Sequence, residues 1–212
     1  MKPFLIFGTG DFADIVGYII EHEMNAQVSG YMVNERFMDK DIKNGLPVVP
    51  FENVEEFFNP TSYNCTIAYE GHDMFVSRRS ITEELVKKGY SFDTVISDSA
   101  VITNASMGYG NIIMQNVFIG PFTSIGNGNI FWGTAQLQHH NVIGDYNCFA
   151  PGTVTCGYTE ILEHSFFGAN STIKNGIRIS PRTFIGANVY IDRDTDADSV
   201  WLPPRAYQRR IE

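Results

Sequence analysis

The stretch IMQNVFIGPFTSIGNGNIFWGTAQLQHHNVIGDYNCFA, residues 113–150, has an apolar residue at every sixth position: Ile113, Ile119, Ile125, Phe131, Leu137, Ile143 and Phe149. Stepping outward in sixes, the series runs back through Met107 and Val101 to Val95. Forward, it passes Thr155, Ile161, Phe167, Ile173, Ile179 and Ile185 to Ile191, and only Thr155 is not apolar. Against a 43% hydrophobic background, chance would produce such a run about once in ten thousand trials. The period matches a coil of three short strands, each giving one apolar residue to a narrow triangular interior. The spacing predicts a left-handed parallel β-helix of about five coils between Val101 and Tyr190, with no insertion breaking the register.

Other positions of the hexad agree. Glycine follows the apolar residue at Gly108, Gly120, Gly126, Gly144, Gly168 and Gly186, and is expected at the tight corner. Four residues after the apolar one the side chain is mostly small, as at Ala105, Thr123, Ala135, Thr153, Thr159, Ser165, Ser171 and Thr183, which suits a space beside a large neighbour. The outward residues Ile112, Met114, Trp132 and Phe166 predict association through the flat faces.

Before Val95 the pattern is different. Phe4-Leu5-Ile6-Phe7 is a short apolar run ending at Gly8, followed by helical spacing through Ile15, Ile19 and Ile20. Val28 to Met32 and Cys65 to Ala68 are strand-like, Gly45 to Val48 reads as a turn, and Val54 to Phe58 as a short helix. Helical spacing returns from Met74 to Lys88 and stops at Gly89. Alternating strands and helices predict a small Rossmann-like parallel sheet. The chain therefore reads as an α/β domain over residues 1–92, followed by an all-β left-handed parallel β-helix with a C-terminal tail over residues 93–212.

The 212 residues carry a net charge of -9, a poor basis for nucleic-acid binding, which needs clustered Lys and Arg. The three cysteines have no metal-ligand spacing, and their odd number disfavours a disulfide framework. The opening MKPFLIFGTG lacks a secretory leader pattern, and no apolar run is long enough to span a bilayer, so a cytoplasmic protein without membrane or metal is expected.

Hexads of this kind, behind a small nucleotide-binding domain, resemble the left-handed β-helix acyltransferases. The likeness is to the nucleotide-sugar N-acetyltransferase branch, of the sialic-acid O-acetyltransferase and bacillosamine acetyltransferase type. The junction from Phe92 to Ile102 is similar to the start of that family's coil, and His139 to Tyr146 looks like its active-site coil. The resemblance implies acetyl transfer from acetyl-CoA to the amino group of a nucleotide-linked amino sugar for bacterial surface glycans such as the O-antigen of lipopolysaccharide. It also implies a homotrimer with active sites between subunits.

On that resemblance His139 is the general base, a task that imidazole suits because it ionises near neutral pH. The family's next residue is usually acidic. Here it is His140, so Asp145, Glu163 or a backbone carbonyl is expected to orient His139. The N–H of Gly157 is implied as the donor to the thioester oxygen. The coenzyme A track is implied along Gly157, Gly168, Ala169, Gly186 and Ala187, with Lys174, Arg178 and Arg182 as the nearest cations. On the acceptor side, the glycine bend at Gly8 and Gly10 lets a phosphate approach backbone donors. Asp11 is expected to cap the following helix. Asn34 and Glu35 are positioned for a ribose or base, and Trp132 and His140 lie nearer the sugar. Trp132 reads equally as a subunit-interface aromatic. The rival readings are sugar O-acetylation on the same fold, a γ-class carbonic anhydrase, and a catalytically silent nucleotide-binding scaffold. The histidine spacing disfavours the carbonic anhydrase.

Overall fold

The structure is a computed structural model describing residues 1–69 and 73–204. The first element, β1 (Phe4–Phe7), is buried along its whole length. It leads through Gly8 to Gly10 into helix α1 (Asp11–Tyr18), which continues as a wider helical turn over Ile19–Glu23. Strands β2 (Val28–Val33), β3 (Ile42–Lys43), β4 (Leu46–Pro50) and β5 (Asn64–Ile67) follow. Helix α2 (Val76–Lys87) and β6 (Ser91–Phe92) complete a six-stranded sheet in the order β3-β4-β2-β1-β5-β6. All pairings are parallel except β3–β4, an antiparallel hairpin closed by Asn44 and Gly45, so the sheet is mixed rather than purely parallel. The segment read as a turn at Gly45 to Val48 is mostly strand.

From Val95 the chain winds through three parallel ladders. The first face holds Val95–Ile96, Ile112–Ile113, Ile130–Phe131, Cys148–Phe149, Phe166–Phe167, Phe184–Ile185 and Val200–Trp201. The second runs from Val101–Ile102 to Tyr190–Ile191, and the third from Ser106–Met107 to Arg178–Ile179. Every sixth residue from Ile113 to Ile191 is buried inside, Thr155 included. Phe131, Phe149 and Phe167, one coil apart, stack with ring centroids 4.8 and 4.5 Å apart.

The register slips once. Ile113 pairs with Ile96 and Ile119 with Ile102, whereas Ile125 pairs with Met107. Met107 follows Ile102 by five positions instead of six, so the interior residues of the first coil are Ile96 and Ile102. Val101 is 52% exposed, and Val95 is buried against the N-terminal sheet instead. An unbroken series from Val95 is therefore corrected: apolar neighbours in Val95-Ile96 and Val101-Ile102 conceal a one-residue deletion.

The corners also differ from expectation. The left-handed backbone falls three residues after the interior position, at every sixth residue from Gly110 to Asn188, most of them not glycine. Glycine one residue after the interior position answers a different need, the close approach of coils. A Cβ at Gly168 would lie 2.5 Å from the Ala187 nitrogen, and one at Gly144 would lie 2.9 Å from the Leu162 oxygen. The position four after the interior one carries buried amides as well as small residues. Asn111, Asn129 and Asn147 each accept the backbone N–H one coil on, at 2.9, 2.9 and 2.8 Å, which satisfies polar groups in a dry corner.

The N-terminal part of the chain packs on the first face through the helical turn Ile19–Glu23, which lies against Val95–Ile96, and through Phe12 and Phe75. Ile112, Met114 and Trp132 join the cluster of Ile19, Ile20, Val28 and Val95, and Ile130, Cys148 and Phe166 pack with Phe75. Of the outward apolar residues expected to face other subunits, Ile112 and Met114 are thus covered by their own chain, and Trp132 and Phe166 are partly covered by it. Arg78, 1% exposed, ties the two parts by donating to the carbonyls of Ile67, Tyr69 and Gly128. Glu23 accepts from Ser97 Oγ, from Gln115 Nε2 at 2.6 Å and from Asp98 N at 3.2 Å.

Candidate functional site

Two regions carry the residues singled out above. The first is a pocket of about 760 Å³ at the carboxyl ends of β1, β2 and β5. There β2 lies on one side of β1 and β5 on the other, so the strand order changes direction. Crevices at such points in α/β sheets are where ligands bind. Gly8 has φ +119°, and a Cβ there would lie 2.5 Å from the Ala68 oxygen, so no other residue fits the bend. Gly10 is the helix N-cap, extended, with nothing within 4 Å of a Cβ, which leaves open space for a ligand.

Asp11 is the first residue of α1 and makes no side-chain cap, so the expected capping role is corrected. It faces the pocket in the first helical turn, where a carboxylate suits the helix dipole but competes with an incoming anion. Asn34 lines the pocket, with its side chain donating to Glu52 Oε1 at 3.1 Å, while Glu35 N donates to Glu52 Oε2 at 3.0 Å. Three hydrogen bonds hold Glu52 below the ordinary carboxylate range, although burial pushes the other way. Glu52 had no signal in the sequence, because it reaches these residues only through the fold. Arg36, Phe37, Tyr69 and Ser77 also line the pocket, and Arg36 lies 4.6 Å above the Phe37 ring centroid.

The second region is the vertex between the second and third faces of the coil. His139 is exposed there, in the corner between Gln136–Leu137 and Val142–Ile143. Its ring lies on Gly157, where a Cβ would sit 2.5 Å from His139 Cε1 and 2.9 Å from Nε2. Among the described residues the N–H of Gly157 meets no acceptor, while its carbonyl accepts from Gly176 N at 3.0 Å. Phe122, His140 and Tyr158 form a column one coil apart. The His140 ring is 4.8 Å from each neighbour, and Tyr158 also meets the His139 ring edge-on at 5.2 Å. Phe122 and Tyr158 were missed, although their one-coil spacing from His140 would have found them.

The remaining residues lie elsewhere. Gly168, Ala169, Gly186 and Ala187 stack on the vertex between the first and second faces, a different edge from Gly157. Trp132 lies in that column but stacks on Phe12 at 5.2 Å, in the contact between the coil and helix α1 of the same chain. Of the cations, Arg178 pairs with Glu160 at 2.9 Å, and Arg182 holds Asp198 with both ends of its guanidinium. His139 lies on the vertex opposite the first face, the one that carries the N-terminal sheet and its pocket. One chain therefore separates the two regions by the width of the coil.

Among the described residues no cluster is suited to hold a metal ion, and no helix is long and apolar enough to cross a membrane. No family model matches the chain. It is 27% identical over 203 residues to the GDP-perosamine N-acetyltransferase of Escherichia coli O157:H7, covering 88% of this chain and 84% of that one. PerB from Caulobacter crescentus, solved with CoA and GDP-perosamine, superposes with a TM-score of 0.84 at 21% identity, covering 94% and 93% of the two chains. The acetyltransferase domain of PglB from Neisseria gonorrhoeae FA1090 gives 0.83 at 19%, covering 94% and 96%. In fold the chain is similar to β-helix acetyltransferases, and in sequence it resembles a nucleotide-sugar N-acetyltransferase over most of its length.

Proposed function

We propose that the protein transfers an acetyl group from acetyl-CoA to the amino group of a nucleotide-linked amino sugar. The observation that carries this reading is the exposed imidazole of His139 resting on Gly157 at a coil vertex. It is supported by the similarity to a GDP-perosamine N-acetyltransferase and to a fold neighbour solved with CoA and GDP-perosamine. The nucleotide is held by the Rossmann-like domain over residues 1–92, in the pocket at Gly8, Gly10 and Asn34. The coil from residue 93 onward carries the transfer. As the amine nitrogen attacks the thioester carbonyl, His139 Nε2 takes its proton, and the Gly157 N–H donates to the oxygen that becomes negative. The C–S bond then breaks, and the proton passes to the departing sulfur.

The separation of pocket and base supports a site shared between copies, in a homotrimer in which the N-terminal domain of one copy faces His139 of the next. The same arrangement would bring the edge at Gly168, Ala169, Gly186 and Ala187 beside Gly157 of the neighbour, completing a track for the pantetheine arm. The product would serve cytoplasmic assembly of surface glycans such as O-antigen. Incubation with acetyl-CoA and a panel of GDP-, UDP- and dTDP-linked amino sugars tests the reading. The expected result is thiol release matched by an amide on one sugar. An ester on a sugar hydroxyl would indicate O-acetylation, and nucleotide binding without thiol release would indicate a silent scaffold.

A further inference from the structure

The corner that carries His139 holds a second imidazole against it. His139 Nδ1 and His140 Nδ1 are 3.1 Å apart, with the rings at 85°. Two ring nitrogens at this distance share one hydrogen, so one donates and the other accepts. The carboxylates expected to orient His139 are engaged elsewhere. Asp145 Oδ1 accepts from Asn127 N at 2.7 Å, and Glu163 Oε2 accepts from Arg79 at 3.2 Å, both near the vertex between the third and first faces. His140 itself is held firmly. Its backbone is left-handed at φ +58°, its N–H donates to Pro121 O at 3.0 Å, and its ring lies between Phe122 and Tyr158.

We infer that His140 is the positioning residue that sets the tautomer of His139, accepting the Nδ1–H of His139 on its own neutral Nδ1. This rests on the reading of His139 as the base. For His139 Nε2 to take a proton, its lone pair must be there and the ring hydrogen must sit on Nδ1. His140 Nδ1 then accepts, with its own hydrogen on Nε2. After proton uptake both nitrogens of His139 carry hydrogen, and the contact to His140 persists. A proton on His140 Nδ1 would set two N–H groups face to face and break the pair. The titratable groups against His140 are His139 on its own coil and Tyr158 on the next, while the preceding coil offers Phe122.

Nitrogen-15 spectra of the imidazoles in the full chain, read beside steady-state kinetics, test the assignment. His140→Phe keeps a ring between Phe122 and Tyr158 but removes the acceptor. In His140→Asn the Oδ1 stands where Nδ1 stood relative to Cβ, and asparagine tolerates the left-handed backbone. The wild-type chain should hold His139 in the Nδ1–H form. His140→Phe should shift it towards Nε2–H and lower kcat roughly tenfold or more, with KM for acetyl-CoA changed by less than about twofold. His140→Asn should restore both. If His140→Phe loses the fold, His140→Gly removes the acceptor at a position where glycine already serves two coils on, at Gly176. An unchanged His139 tautomer without the acceptor, or no recovery in His140→Asn, overturns the inference. The tautomer needs no turnover, so an active His139→Ala would refute the base while the spectra still decided the role of His140.

Discussion

A methyl group at residue 157 would press into the ring of His139 from outside, 2.5 Å from Cε1 and 2.9 Å from Nε2. Gly157→Ala should therefore turn the imidazole away and lower kcat roughly tenfold to a hundredfold, with nucleotide binding unchanged. Kinetics paired with calorimetric binding would read the split. His139→Ala removes the base itself, and transfer should fall about a hundredfold to ten-thousandfold. His139 is exposed, so that change should cost well under about 1 kcal/mol of stability. A thermal melt beside the activity assay checks both halves.

The coil and the sheet are elements with different sources of cohesion. In the coil, Phe149 is fully buried between Phe131 and Phe167. Phe149→Ala should cost about 3–5 kcal/mol in a denaturant titration, because stacked coils cannot close on the void. Between coil and sheet, Glu23 is the polar clasp. Burial opposes its ionisation, but hydrogen bonds from Ser97, Gln115 and Asp98 outweigh this and lower its pKa below the ordinary carboxylate value. The clasp thus contributes its full stability above that ordinary value and loses it as pH falls through the depressed one. Glu23→Gln should melt earlier than wild type at neutral pH, and the gap should narrow in acid. Melting curves from about pH 7 to about pH 3 would follow it.

For the molecule as a whole, the covered first face changes what truncation does. Ile112 and Ile130 are 0% exposed and Met114 2%, all beneath the N-terminal sheet or its flanking segments. Removing residues 1–92 should leave a coil that aggregates or binds an apolar dye, because it bares a contiguous apolar face. Light scattering of the fragment, with and without polar substitutions at Ile112 and Met114, would test this. The intact chain should sediment as a trimer at micromolar concentration, and a stable monomer there would refute a site shared between copies.

The six-residue period by itself determined the coil, since a side chain every sixth residue can fill a narrow interior only if the chain turns three times per layer. His139 at a corner was legible for the same reason: position in the hexad sets whether a side chain points inward or out. The glycine bend at Gly8 was readable from its strand-turn-helix setting, and a backbone at φ +119° against Ala68 is its cause. The tertiary structure alone decided the rest. It showed the one-residue slip between Ile102 and Met107, which period counting tolerates because both candidates at each early position are apolar. It turned Ile112, Met114, Trp132 and Phe166 towards the N-terminal part of the same chain, because outward apolar residues need a cover and hexad position does not say which surface supplies it. It engaged Asp145 and Glu163 elsewhere and left His140 against His139, a contact set by side-chain rotamers that no spacing encodes.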